Sequence, residues 1–248
     1  MSDRVVVITG ASAGIGAALA EVLAARNETV VLVARREAQL NDVASRCGGR
    51  AHVIAADVTD RSQVRRVVTD AVERFGRIDV WVNNAGQGIT RMPSQLTDDD
   101  VDDMIRINVK SVLYGMQEVL PHFKQRGEGL VVNVSSMLGR IPYVAMRAAY
   151  SGAKHYVNAL TANMREEVQQ THPGIKFSIV SPGVVRTDFG LNARHGGPDS
   201  RQFPRSQGAD EVAAIIADVI ESGRQDVYTP RGARQSVADY YAAIGEDA

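Results

Sequence analysis

The sequence predicts an α/β fold, a doubly wound parallel sheet of about seven strands with helices on both faces. Three observations carry that expectation. Short β-branched runs alternate with longer amphipathic stretches along the chain. Most of the runs are apolar almost throughout, as strands covered on both faces are. A glycine-rich turn joins the first run directly to the first amphipathic stretch.

Taken in order, the expected strands are 4–9, 29–34, 51–55, 78–82, 129–134, 176–180 and 225–228. Between them lie the expected helices 14–26, 36–47, 60–75, 97–125, 149–171 and 209–222. Asp60 and Asp98 stand where a carboxylate can accept from the unpaired N–H groups of a helix start, so both are expected N-caps. Strand–helix–strand units with right-handed crossovers lead to the doubly wound layout. No internal repeat or low-complexity linker interrupts the pattern, which implies one domain over 1–248. One long irregular segment, 188–206, carries Gly190, Gly196, Gly197, Pro198 and Pro204 and is expected to act as a lid over the substrate.

Composition narrows the function classes. The chain has 248 residues, 44% hydrophobic and 23% charged, with a net charge of −1. That balance offers no basic field for nucleic acid or an anionic membrane. A single cysteine, Cys47, permits no internal disulfide and is expected to be a buried, inert thiol near a helix end. The run Val5–Ile8 is too short for a signal sequence, and no stretch approaches the roughly 18 apolar residues of a membrane span. A cytoplasmic location is the expectation. His52, His122, His155, His172 and His195 form no ligand spacing, so no metal site is expected, although His195 sits in the lid segment where it can reach substrate.

The turn after the first strand reads Thr9-Gly10-Ala11-Ser12-Ala13-Gly14-Ile15-Gly16 and opens a helix. Glycines let backbone N–H groups approach a pyrophosphate, which the positive end of the helix dipole favours. The spacing is not the usual G-x-G-x-x-G and a plain strand–turn–helix stays open at this point; if the turn holds a dinucleotide, Gly10, Ser12, Ala13, Gly14, Ile15 and Gly16 are the expected cofactor contacts. The second strand ends in Ala34-Arg35-Arg36, where an NAD site places a carboxylate for the ribose hydroxyl. Guanidinium groups instead suit a 2′-phosphate, which points to NADP(H), with Arg35 the main contact and Arg36 assisting. The alternative is that both arginines begin a solvated helix and Glu37 reaches the ribose of NAD(H).

Tyr150 and Lys154 are four apart and share one face of a helix. A free phenol with a pKa of about 10 is a poor proton shuttle at neutral pH, and a neighbouring ammonium favours its ionised form. Lysine in this position is expected to lower the Tyr150 pKa. Tyr143 and Arg147 repeat the spacing, but Pro142 precedes them and they fall in an expected loop.

These motifs together resemble the short-chain dehydrogenase/reductase family, and the likeness runs nearly the full chain. The glycine turn matches the family's Thr-Gly-x-x-x-Gly-x-Gly. Asp57-Val58 follows the third strand where the family contacts adenine, and Asn83-Asn84-Ala85-Gly86 matches its second signature. Asn108, Ser136 and Tyr150-x-x-x-Lys154 follow in order, and then Ser181-Pro182-Gly183-Val184-Val185-Arg186-Thr187. The resemblance implies a Rossmann fold and an NADP(H)-dependent oxidoreductase interconverting a ketone or aldehyde and an alcohol. It implies that Tyr150 is the general acid/base, that Ser136 bonds the substrate oxygen, and that Lys154 bonds the nicotinamide ribose. Asn108 would distort its helix and hold a water linked to the lysine. Asp57, Val58, Asn84, Ala85, Gly86, Pro182, Gly183, Val185 and Thr187 would contact cofactor, as would Tyr150 and Lys154. Ser135 competes with Ser136, which the position of Gly139 favours. The Ser136–Tyr150 spacing is one residue longer than the family's, an insertion expected within 140–147.

Met92, Met137, Leu138, Tyr143, Val144, Phe189, Leu191 and Phe203 flank this site and imply an apolar pocket for a small carbonyl or alcohol substrate. No cluster of charges singles out an acid, phosphate or sugar. Apolar stripes Val109, Val112, Met116, Val119, Phe123 and Ala153, Val157, Leu160, Met164, Val168 read as sheet packing. The resemblance adds a subunit interface on these helices, and so a homodimer or homotetramer, although the chain lacks the family's glycine-rich ending. A catalytically inactive dinucleotide sensor or scaffold of the same fold is the competing class. A nucleotide-sugar epimerase fits poorly, since such relatives are longer.

Overall fold

Alternate side chains of a strand point to opposite faces, and in the first strand both faces are apolar. In the computed structural model, which describes residues 3–245, β1 (Val5–Thr9) sends Val6 and Ile8 into one core layer and Val5 and Val7 into the other. The expected domain span of 1–248 therefore includes five residues, 1, 2 and 246–248, outside the described ones. β2 (Thr29–Ala34) repeats the division with Val30 and Leu32 against Val31 and Val33. β3 (Ala51–Ala55), β4 (Val80–Asn83), β5 (Gly129–Val134), β6 (Ile175–Ser181) and β7 (Asp226–Tyr228) complete a seven-stranded sheet in the order β3-β2-β1-β4-β5-β6-β7. Every pairing is parallel.

Helices α1 (Gly14–Ala25), α2 (Glu37–Arg46) and α7 (Ala209–Ser222) cover the first layer. On the other face lie α3 (Arg61–Phe75), α5 (Ser111–Arg126) and α6 (Ala148–Gln169). Both expected stripes are used here. Val109, Val112, Met116, Val119, Phe123, Ala153, Val157 and Val168 are buried against the sheet, with Leu160 and Met164 packed at its margin. Each such side chain contributes about 1.5–3 kcal/mol relative to exposure. Cys47 ends α2 and is buried, and burial pushes its thiol pKa up, in keeping with an inert group.

Three local expectations change. The segment 97–125 is not one regular helix: α4 (Asp98–Ile105) passes into a π-helical turn over Arg106–Lys110 before α5 begins. Asp98 is not the cap of α4. Thr97 is, its hydroxyl accepting from Asp100 N while the Asp100 carboxylate accepts from Thr97 N, a reciprocal box that leaves Asp98 as the first helical residue. Asp60 does cap α3, accepting from Ser62 N at 2.8 Å. A further helix, α8 (Ala233–Ala242), follows β7; only Ala233 of it is buried, so no apolar stripe announces it. No described helix is long and apolar enough to cross a membrane.

Parallel strands bring all their carboxyl ends to one edge. The loops after β1 to β6 meet there, and the strand order turns back between β1 and β4, where open sheets of this kind take their ligands.

Candidate active site

The glycines of the turn stand where a side chain would be strained or would clash. Gly10 and Gly14 have φ of 67° and 58°, a region that favours glycine. A Cβ on Gly10 would lie 2.8 Å from Ala85 Cα, and one on Gly16 would lie 2.5 Å from the Gly10 carbonyl oxygen. α1 then starts after the exposed Ala13 without a side-chain cap or an acidic residue in its first turn. Its first N–H groups are left for an outside acceptor. This cradle has the shape and polarity that a dinucleotide pyrophosphate requires.

Other loops close around it. Thr9 Oγ accepts from Asn84 N and Ala85 N, and Asn84 Nδ2 donates to the Thr9 and Gly10 carbonyls at 3.0 and 3.2 Å. The Asn84 amide therefore ties β4 to the glycine turn. From the loop after β6, Thr187 Cγ2 comes within 3.3 Å of the Cβ position of Gly14. Pro182 is buried and its carbonyl accepts from Met137 N, Gly183 packs on Pro230, and Val185 bridges to Gln207. Arg36 Nη2 donates to Ser12 Oγ at 3.0 Å, with the exposed Arg35 beside it at the end of β2. The Asp57 carboxylate is held by Thr59, through its N–H and hydroxyl at 2.9 and 2.8 Å. Val58 and Ile15 pack at the margins of the two core layers.

Tyr150 lies in the first turn of α6, with Lys154 one turn on, and both are buried. Lys154 Nζ donates to the Val134 carbonyl at 2.9 Å and sits 5.7 Å from the centre of the Tyr150 ring. Gly86, in the loop after β4, reaches the same place: a Cβ there would meet Asn108 Oδ1 at 2.9 Å and Lys154 Nζ at 3.8 Å. Asn108 is buried in the π-helical turn, so the helix is distorted where the resemblance puts a distortion. Its amide donates to the Gln87 carbonyl at 3.0 Å and accepts from Gln87 N at 3.1 Å. Of the two serines, Ser136 pulls the Tyr150 pKa down and its Oγ accepts from Leu138 N at 3.1 Å, whereas Ser135 Oγ is buried without a partner. In the segment 140–147, where the extra residue of the Ser136–Tyr150 spacing is expected, Pro142 and Tyr143 are exposed.

The expected electrostatics are not those observed. Burial pushes Tyr150 up to about 12, with Ser136 and Arg147 pulling against it. Lys154 does not bring the phenol down; it is itself lowered by burial to about 8. Its ammonium is directed to a carbonyl and a ring, so desolvation outweighs any charge attraction at the phenol.

Segment 188–206 folds over this edge. Phe189 packs edge-on against Tyr150 with ring centres 5.6 Å apart. Met137 is buried and Leu138 half-buried, while Met92, Tyr143, Phe189, Leu191 and Phe203 are exposed, so the apolar wall is a partial one. The segment is braced by Asp100, a solvent-inaccessible carboxylate that accepts from Arg194 Nε at 2.6 Å and Arg91 Nη1 at 3.2 Å and pairs with His195 Nε2 at 2.8 Å. Burial opposes its ionisation, but the bonds from His195, Thr97 and Arg194 outweigh that and hold it well below the usual carboxylate range. His195 is thus engaged in the brace. Sequence reasoning missed Asp100, whose partners lie in two distant loops. It also set aside Arg147 as a decoy, though Arg147 lies within the field of Tyr150.

Comparison with known proteins gives a consistent result. Residues 4–196 match the family model for short chain dehydrogenase. An uncharacterized oxidoreductase of Staphylococcus epidermidis is 36% identical over 199 residues, covering 77% of this chain and 84% of its own length. The alcohol dehydrogenase of Thermococcus sibiricus, solved with 5-hydroxy-NADP, superimposes with a TM-score of 0.76 at 27% identity, covering 91% of this chain and 94% of that one. The 3-ketoacyl-(acyl-carrier-protein) reductase of Brucella melitensis, solved with NADH, gives 0.83 at 26% identity, covering 93% and 98%.

Proposed function

The chain belongs to the short-chain dehydrogenase family, and from that membership we propose that it is an NADP(H)-dependent oxidoreductase interconverting a ketone or aldehyde and an alcohol. The observation that carries the reading is the buried Tyr150 beside the buried Lys154, whose ammonium lies 5.7 Å from the phenol ring and close to Gly86, next to the Ala85 on which the glycine turn packs. Relatives solved with NADP-type and NAD-type cofactors leave the choice to this chain's own residues. Ala34 offers no carboxylate to repel a 2′-phosphate, and Arg36, already bonded to Ser12, stands with Arg35 at the position where one would lie.

A bound nicotinamide supplies or accepts the hydride in this chemistry. The residues of the chain do the rest. Gly10 to Gly16 and the start of α1 hold the pyrophosphate; Asp57, Val58 and Gly86 border the nucleoside, and Pro182, Gly183, Val185 and Thr187 enclose the nicotinamide end. Lys154, mostly charged at neutral pH, holds the ribose, and Asn108 keeps the helix open behind it. Ser136 donates a hydrogen bond to the substrate oxygen. Tyr150, with a pKa near 12, is fully protonated at neutral pH and delivers its proton to the carbonyl oxygen as the carbon is reduced. Oxidation runs the same path in reverse. The same reading has a small substrate under the 188–206 segment, cytoplasmic location and a homodimer or homotetramer. Any subunit interface uses faces of α5 and α6 other than the stripes spent on the sheet.

A scan of NADPH and NADH consumption over ketones, aldehydes and quinones tests this. The reading expects turnover with a preference for NADPH. Tight NADPH binding without turnover across the panel would instead indicate the sensor.

A further inference from the structure

We propose that Arg147 is a specificity-determining residue of this site and that the carbonyl substrate carries a carboxylate, gripped by the Arg147 guanidinium while its carbonyl faces Tyr150. This rests on the oxidoreductase reading above and names its substrate class.

Arg147 ends the short 3-10 turn Ala145–Arg147 that leads into α6, three residues ahead of Tyr150. That spacing puts both side chains on one side of the helix start. Its Nη1 donates to the Ile89 carbonyl at 3.0 Å, which fixes the group and leaves most of its five N–H donors unspent. The guanidinium lies at the junction of three loops. A Cβ on Gly88 would sit 2.7 Å from Arg147 Nη1 and 3.0 Å from Phe189 Cε1, and Phe189 itself packs against the Tyr150 ring. Toward the 188–206 segment, a Cβ on Gly197 would lie 3.0 Å from Arg147 Nη2 and 2.9 Å from Thr90 Oγ. That Thr90 hydroxyl is buried with no hydrogen-bond partner. One charged fork and one unused hydroxyl therefore converge on Gly197, and the fork also reaches Gly88 beside Phe189, which packs on the Tyr150 ring.

The charge balance points the same way. Arg91 and Arg194 share Asp100, and Arg194 also pairs with Asp103. Half-buried Arg147 has no carboxylate partner among the described residues, and burial disfavours its charged form. Leaving a cation desolvated and unpaired is costly unless an anion completes it. A planar guanidinium matches the two oxygens of a carboxylate in a bidentate pair, and Thr90 can donate to one of them. Phe189, Leu191 and Leu138 supply an apolar wall for the rest of the molecule.

The test uses short aliphatic keto acids, each beside its neutral methyl ester, with the wild type, Arg147→Lys and Arg147→Gln. Hexanoate serves as an unreactive probe, its binding to the NADPH-loaded protein measured by calorimetry. In the wild type, kcat/KM for acids should exceed that for esters by about 10- to 100-fold, the range of a charge-assisted hydrogen bond. Arg147→Gln should bring that ratio near unity, mainly through KM, and Arg147→Lys should restore part of it. A wild-type ratio near one, or a ratio unaltered in Arg147→Gln, overturns the proposal. If neither acid nor ester turns over, the ketone, aldehyde and quinone panel decides the oxidoreductase reading separately, and hexanoate still decides this point. Binding weakened about tenfold or more by Arg147→Gln supports the carboxylate site, on the same scale. Equal binding by both proteins overturns it.

Discussion

Lys154 Nζ lies 5.7 Å from the centre of the Tyr150 ring and donates to the Val134 carbonyl, not to the phenol. In the protein alone the pair is therefore a protonated acid beside a desolvated amine, with pKa values near 12 and near 8. The phenol thus carries its proton at neutral pH, and efficient transfer further requires that the bound cofactor and substrate bring its pKa back toward the working pH.

The lysine should destabilise the protein without cofactor. Its pKa falls from 10.5 to about 8 on folding, so within that window the unfolded chain holds a proton that the folded protein lacks. Stability from this group is therefore missing below about pH 8 and returns as pH rises toward 10.5, whereas Tyr150, raised from 10.0, works the opposite way above pH 10. Lys154→Met should be more stable than the wild type at pH 7, by at most about 3 kcal/mol, and the gap should close near pH 10. Urea unfolding at the two pH values measures it. A Met variant less stable at pH 7 would refute this.

Cofactor choice should turn on the end of β2. Ala34→Asp with Arg35→Ala places a carboxylate where a 2′-phosphate would lie and removes one cation. The NADPH/NADH ratio of kcat/KM should fall about 10- to 100-fold, on the scale of charged hydrogen bonds. Arg36→Ala should act in the same direction and also free Ser12. An unaltered ratio in the double variant would count against NADP(H).

Asp100 should hold the 188–206 segment in place. Its folded pKa is depressed, so the stability it brings is present above its ordinary value of 3.8 and is lost as pH falls through the lower folded value. Asp100→Asn should lower Tm by several degrees at pH 7, with a smaller difference in acid, and raise KM severalfold by loosening Arg194 and His195. Differential scanning calorimetry at pH 7 and at about pH 3, below the ordinary value, provides the check, and equal Tm values at pH 7 would dismiss the brace.

Much of this was legible in the sequence because it depends on local pattern. Valine and isoleucine on both faces of β1 and β2 announce parallel, covered strands, and the glycines before α1 announce a cradle. Other features depend on tertiary geometry. Four polar residues in a row, Thr97-Asp98-Asp99-Asp100, offer adjacent caps, and only the reciprocal bond of Thr97 with Asp100 selects one. The π-helical turn at Asn108 leaves the apolar period almost unaltered. A spacing of four puts Lys154 on the same side as Tyr150 but does not show that its ammonium turns to Val134. Arg147 and Asp100 gain their meaning from loops around Ile89 and Arg194, far away in the chain.

The central claim is that the Tyr150 hydroxyl transfers the proton. Tyr150→Phe removes one oxygen from a buried ring and keeps its packing on Phe189. NADPH affinity should stay within about threefold of wild type while turnover of any ketone accepted by the wild type falls at least about 100-fold, the scale of general-acid catalysis. Single-turnover reduction followed at the NADPH absorbance, with cofactor saturating, is the direct measurement. A variant that reduces the ketone at the wild-type rate would contradict the account.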